Sequence, residues 1–310
     1  MNPTPTLIHH HGDHIAVAAP GTGVELLRYV YRPEAAWEAS KPYIHPLRTL
    51  SGRAVTGYRP NDHRWHKGLQ MTASHLSGQN LWGGNSYVHG EGYRALPDRV
   101  GSMAHRGFDA VAARDGSAVL TERLTWHPYT GETWADELRR VEVHAVDPAA
   151  GSWALTWSTS VTNRREEPLR FGSPGTAGRE GAGYTGLFWR GPRAFAGGTL
   201  LAPGGARGPG LMGHQSPWLA FTGEHDDEDG HATLVFAHAP ENDHTGAAGT
   251  HPAHWFARTQ GYPGVAPSFA FHRELVLDPG DSLVRRYRVL VADGALDEED
   301  IEGRLAEIPW

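Results

Sequence analysis

Residues Gly107–Asn163 read GFDAVAARDGSAVLTERLTWHPYTGETWADELRRVEVHAVDPAAGSWALTWSTSVTN. Apolar and polar residues alternate, or nearly so, over Gly107–Ala113, Ala118–His127, Glu137–Val146 and Trp153–Asn163. A period of two marks a strand with one face on a core and the other in water. Thr125-Trp126-His127 and Leu155–Thr162 are rich in the β-branched and aromatic residues that pleated surfaces favour. Arg114-Asp115-Gly116, Thr130-Gly131-Glu132 and Asp147–Gly151 are turn sequences between the runs. The stretch is an antiparallel meander and predicts an all-β fold.

The pattern extends outward. Trp218–Thr222, Ala232–His238, Phe269–Leu277 and Ser282–Val291 read as strands, the last two divided by the turn Pro279-Gly280-Asp281. Upstream, His14–Ala19 and Val24–Tyr31 form a hairpin about Pro20–Gly23, and Lys67–Ala73 is a further strand. The 39 glycines and 22 prolines punctuate the chain as turns do. Gly172–Gly191 breaks the rhythm and reads as a functional loop. Asp297–Ile308 is the one convincing helix: Asp297 can cap it, acids fill its first turn, and Ile301, Leu305 and Ile308 share a face. Large sandwiches reach about 200–250 residues as one unit. The expectation is therefore a single domain over residues 1–310, a large antiparallel β-sandwich with long loops and a short C-terminal helix.

Composition narrows the function. The chain has 310 residues and no cysteine, which removes disulfides, zinc–thiolate sites, iron–sulfur clusters and a cysteine nucleophile. Net charge is −7 with histidines neutral, and no Lys/Arg stripe offers a nucleic-acid surface. The acidic runs 224–229 and 297–302 are short and read as solvated. The N-terminal MNPTPTLIHHHGDH lacks the basic and apolar regions of a secretory signal, and its histidines read as a strand-flanking run. No run approaches the roughly 18 apolar residues of a membrane span. The expectation is a soluble cytoplasmic protein acting on a small molecule, with no nucleic-acid or membrane partner; its oligomeric state is left open.

Chemistry concentrates in Lys41–Tyr93, where His45, His63, His66, His75 and His89 are mixed with Asp62, Arg48, Arg59, Lys67, Trp65 and Trp82. Glycines and prolines shape the loops between them. Histidine gives and takes protons near neutral pH, so His63, His66 and His45 are candidate acid and base, with Asp62 orienting them. Glu122 or Glu137 can serve as orienting group or base. Arg48, Arg190 and Arg258 can hold an anionic group, and Trp65, Trp82 and Trp189 can stack on a sugar face. Lys67, His75, His89 and Glu137 complete the candidate substrate-binding set. The same His45, Asp62, His63 and His66 have the ligand types for a divalent metal, although the spacing is not diagnostic. Taken singly, each histidine is more often a turn cap. Trp126, Trp153 and Trp157 lie in strand patterns and belong to packing.

KPYIHPLRTLSG, RPNDHRWHKGLQ, GYTGLFWR, HWFARTQGYPGVAPSFAF and LDPGDSLVRRYRVLVADG follow one another in this order. Together they resemble the PmoA-like family of unknown function over roughly Val24 to Gly294, and more loosely the galactose-mutarotase-like β-supersandwiches. The resemblance implies a bacterial protein associated with sugar metabolism. The methane-oxygenase label attached to that family does not suit a chain without a membrane span. Relatives carry a second histidine where this chain has Trp65, and an acidic residue near its Asn80-Leu81-Trp82. The combined reading is a carbohydrate-active enzyme of epimerase, mutarotase or lyase type that uses a histidine-rich pocket for acid–base chemistry. The alternatives are a metal-dependent oxygenase or hydrolase, and a non-catalytic sugar-binding protein. Acid–base chemistry is preferred, because carboxylates that would orient histidine ligands are not evident apart from Asp62.

Overall fold

Two antiparallel sheets pack face to face in a computed structural model that describes residues 3–226, 228–243 and 250–310. The larger sheet has nine strands. Its spine is the meander Ser102–Arg114, Ser117–His127, Ala135–Asp147 and Ser152–Asn163, continued by Ser282–Asp293, His231–His238, Trp218–Glu224, Thr199–Ala202 and Ala206–Arg207. On Ser117–His127 burial alternates residue by residue, with Ala118, Leu120, Glu122, Leu124 and Trp126 turned inward. The smaller sheet has eight strands, in the order Thr6–His10, His14–Ala18, Glu25–Val30, Tyr43–Leu47, Leu69–Thr72, Gly186–Arg190, Gly264–Ser268 and His254–Arg258. Ile15, Leu27, Leu69 and Trp189 from this sheet share one apolar core with Leu120, Val141, Trp157 and Val289 from the other. The fold is the all-β sandwich that the meander predicts.

The C-terminal helix is Glu298–Ala306. Asp297 accepts the Asp300 amide at 2.9 Å, and the Asp300 side chain reaches back to the Asp297 amide. This reciprocal cap satisfies two amides that have no partner within the helix. Ile301, Leu305 and Ile308 pack on Leu201, Trp218, Val235 and Leu290 of the larger sheet. No helix among the described residues is long and apolar enough to cross a membrane.

Three segments depart from the sequence reading. Phe269–Leu277 is not one strand; only Leu275–Leu277 is extended. Phe269 joins the main core and Phe271 a second cluster, so the chain must turn between them. Five residues near the end of the expected loop Gly172–Gly191 form Gly186–Arg190, a strand in the interior of the smaller sheet. Thr6–His10 is a strand as well: it pairs with His14–Ala18, His10 stacks on His14 at 4.2 Å, and His9 hydrogen bonds to the Tyr31 hydroxyl at 3.0 Å. Asp227 of the acidic run 224–229 lies outside the described residues.

Buried charge sits between the sheets. Arg139 donates to both carboxylate oxygens of Glu137, at 2.7 and 2.8 Å, and to the Tyr29 hydroxyl of the smaller sheet at 3.1 Å. Glu137 also accepts Trp126 Nε1 and Thr159 Oγ1, each at 2.7 Å. Glu122 binds His105 at 2.6 Å and Tyr29. Trp126, Trp153 and Trp157 are fully buried here.

Candidate functional site

The outer face of the smaller sheet carries a second aromatic cluster, and strand periodicity says which residues reach it. On Gly186–Arg190, Leu187 and Trp189 face the main core while Phe188 joins the second cluster, which puts Arg190 on the outer side. On His254–Arg258, Trp255 and Ala257 face inward while Phe256 faces out, so Arg258 is also on the outer side. Loops cover this face. They enclose a cavity of about 280 Å³ lined by Asp62, His63, Trp65, His66, Trp82, Asn85, Tyr93, Arg179, Tyr184, Arg258 and Tyr262.

His66 is the buried floor of this cavity. Its ring meets Trp82, Phe188 and Tyr262 edge-on at centroid distances of 5.2, 4.9 and 5.3 Å. Arg190 Nη1 lies 3.2 Å from His66 Nδ1. A guanidinium can only donate, so Nδ1 is the acceptor and Nε2 carries the ring hydrogen. Burial, reinforced by the charges of His63, Arg190, Lys41 and Arg258, holds this imidazole well below its usual range and keeps it neutral. His63 stands 4.8 Å from His66, ring to ring, and is partly open to solvent. Asp62 Oδ2 lies 3.0 Å from His63 Nδ1, within ion-pair range but off the hydrogen-bond line. Partial burial pushes the Asp62 carboxyl up, but His63, a backbone amide and Arg190 outweigh it and hold the group below the usual carboxylate range.

Local chemistry explains how the wall is held. Asn80 Oδ1 accepts the amides of Trp82 and Gly83, and its Nδ2 donates to Gly84 O and Ser86 Oγ, so this side chain folds the Trp82 loop. Lys41 is buried and donates to the carbonyls of Trp82 and Ala39 at 2.8 and 3.0 Å. A Cβ on Gly84 would lie 2.4 Å from the Trp65 ring, and the backbone there has φ +64°, so the indole seats only against glycine. Gln70 Nε2 donates to Trp65 O at 2.9 Å. At the rim, Tyr93 and Tyr184 hydroxyls meet at 2.6 Å.

Of the residues expected at the site, Asp62, His63, His66, Trp65, Trp82 and Arg258 converge on the cavity, and Arg190 backs His66. The others do not. His45 is turned under Tyr58, stacked at 4.8 Å, with Nδ1 bonded to Thr56 Oγ1 at 2.9 Å. Lys67 is buried in an ion pair with Glu38 at 2.8 Å, and Glu38 also takes Arg59. Arg48 donates to Gly52 O and closes a turn. Trp189 faces the main core and donates to Val55 O. Glu137 lies inside the sandwich with Arg139. His75 bonds Tyr87 O and His89 bonds Ala177 O; these two pin the Ser86–Arg94 hairpin and the 172–185 loop, and so act on Tyr93 and Arg179 from a distance. His45, Asp62, His63 and His66 do not form a metal set: His45 is elsewhere and His66 Nδ1 faces a guanidinium. No group of three or more His, Cys, Asp or Glu suited to a metal occurs among the described residues.

Tyr184, Tyr262, Tyr93, Arg179 and Asn85 complete the cavity without having been anticipated there. The available signal was a tyrosine flanked by glycine, in Gly183-Tyr184-Thr185-Gly186 and Gly261-Tyr262-Pro263-Gly264. Burial raises both phenols, so each remains a hydroxyl.

Comparison with solved structures gives likenesses of architecture alone. The GH36 α-galactosidase AgaB from Geobacillus stearothermophilus aligns with a TM-score of 0.48 and 12% identity, over 94% of this chain and 41% of that one. The Lactobacillus brevis α-galactosidase gives 0.43 and 11%, over 98% and 41%. This chain thus spans about two fifths of either α-galactosidase. The GalM/aldose epimerase homologue from C. elegans gives 0.34 and 11%, over 94% and 100%. No curated protein matches the sequence. A family of unknown function, DUF6807, matches residues 16–306, and the chain belongs to it.

Proposed function

We propose that this protein is a carbohydrate-active enzyme that performs acid–base chemistry on a monosaccharide or keto-sugar in the cavity. The observation that carries the reading is the unlike pair of histidines. His66 is a neutral N–H donor fixed by Arg190, and His63 is an accessible ring beside a carboxylate. Histidines held in different environments divide the labour of proton transfer. His63 takes the proton from an anomeric hydroxyl or from carbon beside a carbonyl. His66 Nε2–H hydrogen bonds to the oxygen where charge gathers. Asp62 stabilises His63 when it is protonated. Trp65 and Trp82 supply the apolar faces on which a sugar ring stacks. The family resemblance to PmoA-like proteins and a cytoplasmic place of work fit this reading.

The aromatic wall favours a second reading, a sugar-binding protein without turnover. Proton NMR in D₂O over a panel of aldoses and keto-sugars separates the two. The enzyme reading expects catalysed anomer exchange or carbon-bound deuterium uptake, reduced at least about 10²-fold in both His63→Asn and His66→Phe. Sugar binding without exchange, surviving in His63→Asn, would establish the second reading instead.

A further inference from the structure

The cavity carries more positive charge than its own residues neutralise. Arg179 and Arg258 line it, and Arg190 lies behind His66. The guanidinium groups of Arg190 and Arg258 approach the Tyr262 ring at 4.5 and 5.0 Å. None of the three arginines forms an ion pair among the described residues. Elsewhere the protein does supply counter-charges: Arg139 has Glu137, and Arg59 and Lys67 share Glu38. The one carboxylate in the wall, Asp62, is shared between His63 at 3.0 Å and Arg193 at 3.4 Å. Arg190 is only 2% exposed, and among the described residues its Nε has no partner and its one side-chain hydrogen bond is to a neutral imidazole. A buried cation without an anion is costly, and a negatively charged ligand removes that cost. The cavity volume of about 280 Å³ lies just below the usual range for ligand sites, which fits one sugar ring rather than a chain.

We propose that the substrate is an anionic monosaccharide whose carboxylate or phosphate is held by Arg258 and Arg179, with its ring against Trp65 and Trp82. The inference rests on the sugar reading above and adds the charge. A guanidinium fork matches either oxyanion with two parallel hydrogen bonds.

Isothermal calorimetry on the full chain tests this with glucuronate, galacturonate and glucose 6-phosphate against glucose and galactose, with acetate and inorganic phosphate as sugar-free anions. The expected result is that a uronate or a sugar phosphate binds at least about tenfold more tightly than the neutral sugar. The preference should weaken in high salt. Which of the two anions wins identifies the oxyanion. Arg258→Gln and Arg179→Gln should remove the preference, while Arg258→Lys keeps part of it and serves as the folded control, checked by near-ultraviolet circular dichroism. Neutral sugars binding as tightly as their acids would overturn the charge and leave the sugar reading standing. Arg258-dependent binding of acetate or phosphate, with no sugar acid bound, would overturn the proposal through its sugar. A preference that survives both glutamine variants would overturn it through its arginines.

Discussion

Replacing His45 by asparagine should flatten the acid limb of the stability curve and leave the cavity untouched. Thr56 Oγ1 already accepts the Leu47 amide at 3.0 Å, so its own hydrogen can point to His45 Nδ1 and favour the neutral ring. Burial, with help from Arg48 and Arg28, lowers this imidazole to about 4. In the unfolded chain the ring takes up its proton near 6.5. Protons therefore favour unfolding, and the stability contributed by the neutral ring is fully present above about 6.5 and is lost as pH falls toward 4. At 1.36 kcal/mol per pH unit, the gap between 6.5 and about 4 is worth about 3.4 kcal/mol when both states have titrated, and about 2 kcal/mol at pH 5. Asparagine keeps a polar group near Thr56 and has no proton to take. Urea unfolding of both proteins at pH 7 and pH 5 reads the difference; other histidines cancel in the subtraction. Wild type should lose about 2 kcal/mol more than His45→Asn between the two pH values. Parallel losses would refute the argument. Sugar binding should be unchanged in the variant, because His45 does not reach the cavity.

Glu137→Gln leaves Arg139 buried without its anion and should cost about 3–5 kcal/mol in urea unfolding, with ligand affinity unaltered. Gly84→Ala drives a Cβ into the Trp65 ring at a left-handed backbone position. It should cost about 1–3 kcal/mol, shift the tryptophan emission and weaken sugar binding. Asp297→Ala removes the helix cap and should cost about 1 kcal/mol, read by thermal unfolding.

The meander was legible because most of its length meets water on one face, which leaves the alternation in the sequence; Ser152–Trp157, buried throughout, is the exception. Gly186–Arg190 and Gly264–Ser268 are buried on both faces, so they show no alternation and were missed or misplaced. Site residues followed the same logic. Asp62, His63, Trp65, His66 and Trp82 occupy one short stretch, and their neighbourhood could be read directly. Trp189 and Arg190 are adjacent in sequence and lie on opposite faces, a distinction that needs the strand to be recognised first. Glu137 and Lys67 look like site groups because they are charged; Arg139, two residues from Glu137 on the same strand, already offers it a partner, whereas Glu38 meets Lys67 only when separate segments fold together. Tyr184 and Tyr262 reach the cavity from more than a hundred residues downstream of His66, and no local pattern encodes that approach.

The way the rim is assembled has a consequence for folding order. The meander closes through hairpins of neighbouring strands, whereas the cavity requires contacts such as Tyr93 with Tyr184 and His66 with Arg190, 91 and 124 residues apart in sequence. Loop-closure entropy penalises such long-range contacts, so the meander can form before the cavity does. The same asymmetry lets the rim open in the folded protein while the meander stays closed. Native-state hydrogen exchange should then show rim amides exchanging through a low-energy opening that ligand suppresses, and meander amides exchanging only through global unfolding.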